Sequence, residues 1–316
     1  MLSLCVIIVF IFIFSSFVKS ALYKICFWTD FTGRNEESIV LHQKMIDEQP
    51  YNALAWFNLA AAYQGIKLYE KAIDAYQFAI VIDEKFDYAY RNMGDAYLRI
   101  RKYKEAIEAL EKAVSDYRGQ IAVVAIEPIP ANNGLLLQEG DFLRYLREVC
   151  TREGIILLFD EVISGFRVGF EGASGYYGIQ PDVLAFGKII GGGLPVGAYA
   201  SSAEVMSHVA PEGPVYQAGT LSGNPVAMSA GIAQLTECLR PGFYEELKEK
   251  TDYLVNNVLG YAQSKNYKFN MFSVGSIFWV TFSDQKAIRR SDEIDSEEMQ
   301  KFAPFHRSLL EQGIYL

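Results

Sequence analysis

The stretch GIILLFDE, Gly154–Glu161, decides the architecture of most of this chain. Ile155 to Phe159 form an unbroken apolar run, too short for a typical helix and typical of a strand covered by helices on both faces of a sheet. Working outward, IAVVAIE (Ile121–Glu127) and DVLAFGK (Asp182–Lys188) read as further strands. Between the first two, Asp141 reads as the cap of a helix, FLRYLREVC, with Phe142, Tyr145, Leu146 and Val149 on one face. The order strand, helix, strand, strand, helix predicts an α/β fold. Farther along, Asn224 and Pro225 read as the cap and first turn of a helix running to about Leu239. Gly242 to Ser264 reads as a long amphipathic helix, and FNMFSVGSIFWVTFS (Phe269–Ser283) as a hairpin.

At 316 residues there is room for about two domains and a sizeable core. Hydrophobic content of 51% and charged content of 21% exclude a disordered or fibrous chain. A net charge of −9, with no run of Lys and Arg, excludes nucleic acid as a partner. Four cysteines without a CxxC pair and three scattered histidines give neither a disulfide framework nor a metal site. The first 20 residues include LSLCVIIVFIFIFSSFV, Leu2–Val18, at the lower edge of membrane-spanning length. No basic segment precedes it, but the residues before Ala21 suit a cleavage site, so a membrane span and a signal peptide both stay open.

Between leader and sheet the sequence repeats at an offset of 34 residues: Trp56/Tyr90, Leu59/Met93, Ala60/Gly94, Tyr63/Tyr97, Tyr69/Tyr103, Ala72/Ala106, Ile73/Ile107 and Ala79/Ala113. The pattern resembles the tetratricopeptide repeat, whose paired helices bury small and aromatic residues against the next unit. It predicts an all-α segment over 36–118: a partial repeat at 36–52 and full ones at 53–86 and 87–118. Two units and a remnant make a short groove for a protein partner.

Three strands end in a charged residue: Glu127, Asp160 and, just after VLAFG, Lys188. Ligands of open α/β sheets bind outside the carboxyl ends of the strands. Taken alone, Glu127 reads as the point where a buried strand reaches water. A P-loop is excluded because Asp182 stands where the first glycine belongs and Ile189 follows the lysine. A dinucleotide fingerprint is excluded by Pro195 soon after Gly193, and no GxSxG elbow occurs. What remains is a lysine at the end of a buried segment, where desolvation would free a neutral amine for attack on an aldehyde. Pyridoxal phosphate is such an aldehyde; it needs an acid for its pyridine nitrogen, and Asp160 is the candidate.

EPIPANNG, LLFDEVISGFRV, PDVLAFGKIIGGGLPVGAYA and PVYQAGTLSGNPVAMSAG together resemble the class III pyridoxal-phosphate enzymes, in particular the glutamate-1-semialdehyde 2,1-aminomutase subfamily. The resemblance implies a fold type I large domain over 119–240 and a small domain over 241–316, both incomplete, the phosphate cup and the ring-stacking aromatic lying outside the chain. It implies Lys188 as Schiff-base lysine and proton shuttle, Asp160 opposite the pyridine nitrogen and Val162 against the ring. It further implies Asn132, ahead of Asn133, near the phenolic oxygen, with Gly219 and Thr220 reaching the phosphate across a homodimer. The glycines of Gly191–Gly193 are expected to let backbone pack closely beside the cofactor.

The implied reaction converts glutamate-1-semialdehyde to 5-aminolevulinate for tetrapyrrole synthesis, impaired here by truncation. Two alternatives stay open: a membrane-tethered repeat scaffold with an inert enzyme fragment, and a class III ω-aminotransferase. The leader points to the membrane and the enzyme family to the cytoplasm. The abrupt change at Gly119, with no spacer, suggests three joined pieces, by gene fusion or by misassembled sequence.

Overall fold

The computed structural model describes residues 35–315 except Arg101, Asn133 and residues 289–292. The apolar leader and Asn133 lie outside the described residues. Among those described, no helix is long and apolar enough to cross a membrane. The chain divides into two compact units, one ending at Glu84 and the other beginning at Lys85.

The first unit is helical: α1 (Asn35–Glu48), α2 (Ala53–Gly65) and α3 (Tyr69–Ile82). Asn52 starts α2 by accepting the Ala55 N–H at 3.1 Å, satisfying one of the orphan donors of the first turn. Fully buried Ala60, Ala72 and Ala79 let the helix backbones approach closely, and Tyr76 fills the space between. The Tyr76 hydroxyl donates to Gln64 at 2.9 Å, so this buried aromatic keeps its polar end paired.

The second unit opens with another helical pair, α4 (Asp87–Arg99) and α5 (Tyr103–Asp116). A mixed sheet follows: β1 (Val123–Ile126), β2 (Ile156–Asp160), β3 (Val183–Phe186) and β4 (Ala198–Ser201), in that spatial order. β1, β2 and β3 are parallel, and β4 runs antiparallel along β3. The crossover from β1 to β2 is α6 (Gly140–Glu153), ended by Gly154 in the left-handed conformation. Asp141 is not its cap: the helix has already begun at Gly140, and Asp141 pairs with Arg144 within the first turn. In β2, Leu157 and Phe159 are fully buried while Ile156 and Leu158 are half-buried, so only one face is packed to core density. That face meets Phe142, Leu143, Leu146 and Val149 of α6, and Ala106 and Val114 of α5 join the same core.

A short helix, α7 (Gly172–Tyr177), and the added strand β4 were not foreseen from the sequence. After β4 come α8 (Ala203–Met206), α9 (Pro225–Cys238) and α10 (Phe243–Ser264). Asn224 caps α9 by accepting the Val226 and Ala227 N–H groups, with Pro225 in the first turn. The hairpin is β5 (Asn270–Val274) with β6 (Ile277–Thr281), turned by Gly275 at φ 55°. α11 (Ser296–Glu311) closes the described chain.

Candidate active site

The site gathers where β1, β2 and β3 end. Register pairs Ile126 with Phe159 and Asp160 with Ala185, so Glu127 and Asp160 lie on neighbouring strand ends. Asp160 Oδ1 accepts the Val162 N–H at 3.0 Å, which fixes how the carboxylate is presented. Two residues beyond β3, Lys188 adopts φ 50°, a left-handed conformation that costs a residue with a side chain of the order of 1–2 kcal/mol. Gly187 before it is buried, and a Cβ there would come within 3.2 Å of a Val162 methyl. Val162 therefore stands beside the backbone that carries Lys188.

The three charged ends act on one another. Burial, and then the Asp160 charge, push the Glu127 carboxyl above the ordinary carboxylate range; the Ala131 backbone amide, Arg99 and Lys188 pull the other way. Glu127 is thus half-buried and part of the cluster, correcting its reading as a strand end meeting water. Lys188 itself is exposed, so this chain does not supply the burial expected to desolvate its amine.

The loop from Glu127 to Gln138 carries Asn132, which is exposed and bridges to Gly134. Its prolines Pro128 and Pro130 and its Ile129 are buried, and Leu136 N–H donates to Pro130 at 3.1 Å. Gly134, at φ 102°, sits under the Trp279 ring, where a Cβ would be 3.0 Å from ring carbons. Hairpin residues Val274, Phe272 and Trp279 share a core with Ile129 and Leu135, so β5–β6 braces this loop.

Gly219 and Thr220 are exposed on the loop before α9, and among the described residues no hydrogen bond or ion pair joins them to Asp160 or Lys188 within one chain. The glycine run lies against α9: a Cβ on Gly192 would stand 2.6 Å from the Ala230 carbonyl oxygen, and one on Gly231 would collide with that of Ile190. The bare backbone serves helix packing there, a close approach that a side chain would block.

One buried carboxylate was missed from the sequence. Glu161 accepts from Ser164 Oγ at 2.9 Å and from the Ala173 and Ser174 N–H groups at 2.6 and 2.9 Å, tying the turn after β2 to the start of α7. Its signal is the Asp160–Glu161 pair: adjacent residues of an extended chain point opposite ways, so one acid faces the site and the other the interior. Arg167, from the same turn, is half-buried and donates to the Ile163 carbonyl at 2.7 Å.

The family model for aminotransferase class III matches residues 71–316. The chain belongs to the class III aminotransferases. Residues 53–86 match the tetratricopeptide repeat model. A glutamate-1-semialdehyde 2,1-aminomutase of Legionella pneumophila (strain Paris) is 45% identical over 199 residues, covering 63% of this chain and 46% of that protein. An omega-transaminase from Sphaerobacter thermophilus superposes with a TM-score of 0.60 at 33% identity, covering 66% of this chain and 48% of that one. A glutamate-1-semialdehyde-aminomutase from Pseudomonas aeruginosa PAO1 in complex with PMP superposes with a TM-score of 0.55 at 25% identity, with the same coverage. The chain spans about half the length of the curated relatives it matches.

Pyridoxal phosphate is the cofactor of class III aminotransferases, and part of the residue set here fits it. An oriented carboxylate, a lysine in a strained backbone and a valine beside that lysine stand at the carboxyl ends of β2 and β3. These meet the demands for an acid, an amine and an apolar surface.

Proposed function

We propose that the chain is the core of a pyridoxal-phosphate-dependent isomerase that converts glutamate-1-semialdehyde to 5-aminolevulinate in tetrapyrrole synthesis. The observation that carries this reading is Lys188 in left-handed backbone beside the Asp160 strand end, supported by the similarity to named aminomutases. Bound pyridoxal phosphate supplies an aldehyde carbon for an amine and a ring that withdraws electrons. Asp160, oriented by the Val162 N–H, holds the proton of the pyridine nitrogen. Val162 would give the ring an apolar contact, and Asn132 would lie near the phenolic oxygen. The Lys188 amine would hold the cofactor through its aldehyde and, once free, would move a proton between cofactor and substrate carbons.

Gly219 and Thr220 act on the phosphate of a second copy. That role suits their exposure and the apolar residues Val226 and Ile232 that α9, the helix after their loop, leaves open. A homodimer would also shield the exposed Lys188. The reaction is placed in the cytoplasm, and the repeats are assigned to a protein partner.

The test is a titration of the purified chain with pyridoxal phosphate, reading the visible band of protein-bound cofactor in wild type and Lys188→Ala. A band in the wild type that the variant lacks supports the site; a folded wild type with no band favours the repeat-scaffold reading. A second enzyme reading has its own support, since the omega-transaminase superposes at higher identity than the aminomutase structure. Incubation with glutamate-1-semialdehyde and no amino donor separates the two: 5-aminolevulinate appears only if the chain is an aminomutase.

A further inference from the structure

Glu161 is fully buried, and its side chain has no part in the roles assigned above. Both carboxylate oxygens accept hydrogen bonds: Oε2 from Ser164 Oγ at 2.9 Å and the Ala173 N–H at 2.6 Å, Oε1 from the Ser174 N–H at 2.9 Å. The seat is shaped for this side chain. Gly172, at φ 61°, leaves it room, since a Cβ there would lie 2.2 Å from Oε2. The backbone of residue 161 is held as well. Its N–H donates to Ala185 of β3 at 2.9 Å, extending the ladder one residue past β2, and its carbonyl accepts from Gly165 at 2.9 Å.

We infer that Glu161 is a positioning residue: its carboxylate, seated on the start of α7, turns residue 161 inward and so holds Asp160 and Val162 toward the site. Neighbours in an extended chain face opposite ways, so an inward pull on one residue sets the direction of the two beside it. Asp160 Oδ1 then accepts the Val162 N–H at 3.0 Å, and Val162 stands against Gly187, where a Cβ would be 3.2 Å from its methyl, one residue before Lys188. The inference rests on the pyridoxal-phosphate reading only for what Asp160 and Val162 do there; the seating itself does not depend on it.

Residue type matters because the seat aims three donors at two side-chain atoms. A glutamine keeps one oxygen and turns its NH2 group toward a backbone N–H, leaving a buried donor without an acceptor. Alanine leaves all three donors unmet. A residue that only tied α7 to the sheet would loosen α7 when removed and leave the Asp160–Val162 turn alone. A positioning residue releases both.

The deciding experiment is amide hydrogen exchange, resolved to single residues, of the full chain without cofactor, comparing wild type, Glu161→Gln and Glu161→Ala. Exchange at Val162, Ala173 and Ser174 is expected to rise about tenfold in Glu161→Ala and about threefold in Glu161→Gln, each read relative to the amides of α6. Protection in α6 also reports that the variants fold, and the glutamine variant decides where the alanine variant does not. A Val162 amide that keeps its wild-type exchange while Ala173 and Ser174 speed up overturns the proposal, because Glu161 then serves α7 alone. Unchanged exchange at all three overturns it too. Titration with pyridoxal phosphate reads the site itself: the visible band of bound cofactor is expected to titrate at a different pH in Glu161→Gln, since Asp160 would meet the pyridine nitrogen in a different geometry. A band unchanged in position and pH midpoint overturns the link to Asp160. If wild type shows no band the isomerase reading falls, while exchange at Val162 still decides the positioning.

Discussion

Two helical hairpins built on one 34-residue template meet different ends in this molecule. In α2–α3 the template residues pack among themselves: Ala60, Ala72, Tyr76 and Ala79 are fully buried, and Phe78 and Val81 stay more than half exposed. In α4–α5 the corresponding helix carries Lys112 at the position of Phe78 and Val114 at that of Ile80. Lys112 covers the Tyr90 ring at 4.8 Å, and Val114 enters the core with α6. Tyr103 leans on Phe142 with ring centroids 5.5 Å apart. Around the rim, Arg152 donates to both Glu111 oxygens at 3.0 Å, Tyr145 bonds the same carboxylate, and Arg118 pairs with Glu153 at 3.3 Å. The difference teaches that the template sets the hairpin while the residues outside it choose the partner. The second pair has become part of the covering layer of a sheet.

The largest effect that could break this contrast comes from the shared core. Leu143→Ala removes a fully buried side chain of α6 and is expected to cost about 2–5 kcal/mol in urea unfolding of the second unit. Amide protection in α4–α5 should fall with that of the sheet, while α2–α3 keeps its own. Equal loss in both hairpins would show that they are not held differently. A smaller effect is expected from Tyr76→Phe, which removes the hydroxyl bonded to Gln64, about 1 kcal/mol, read as faster exchange confined to α2 and α3. The smallest comes from the rim. The Tyr145 hydroxyl first, then Arg152, hold the Glu111 carboxyl below its ordinary value, so its stabilising contribution is present above about pH 4.5 and lost as the pH falls through the folded value. Glu111→Gln should lower the melting temperature slightly at pH 7 and abolish that part of the acid dependence; the exposed setting keeps the change small.

The sequence made some elements plain because their signals are local. Asn224–Pro225 announced α9, and Gly275 between alternating apolar residues announced the hairpin, each through a backbone requirement readable from two or three residues. Asp141 misled because an acid at the start of a helix suits both the cap and the first turn, and only the helical Gly140 separates them. The merging of α5 with α6 was illegible: an apolar helix face declares that something covers it, not which element does. Within the site, Asp160 and Lys188 could be found from strand ends, whereas Glu127 and Glu161 needed the register and the turn after β2 to show what surrounds each carboxylate.

The left-handed backbone at Lys188 has a consequence for how this protein would respond to selection. Glycine or asparagine would suit that conformation better than lysine, and relief of the strain is worth of the order of 1 kcal/mol. A library screened for heat resistance alone would therefore drift away from lysine at this position and arrive at sturdier molecules stripped of the amine proposed to hold the cofactor. Any effort to harden this scaffold has to hold residue 188 constant and look for its gains elsewhere.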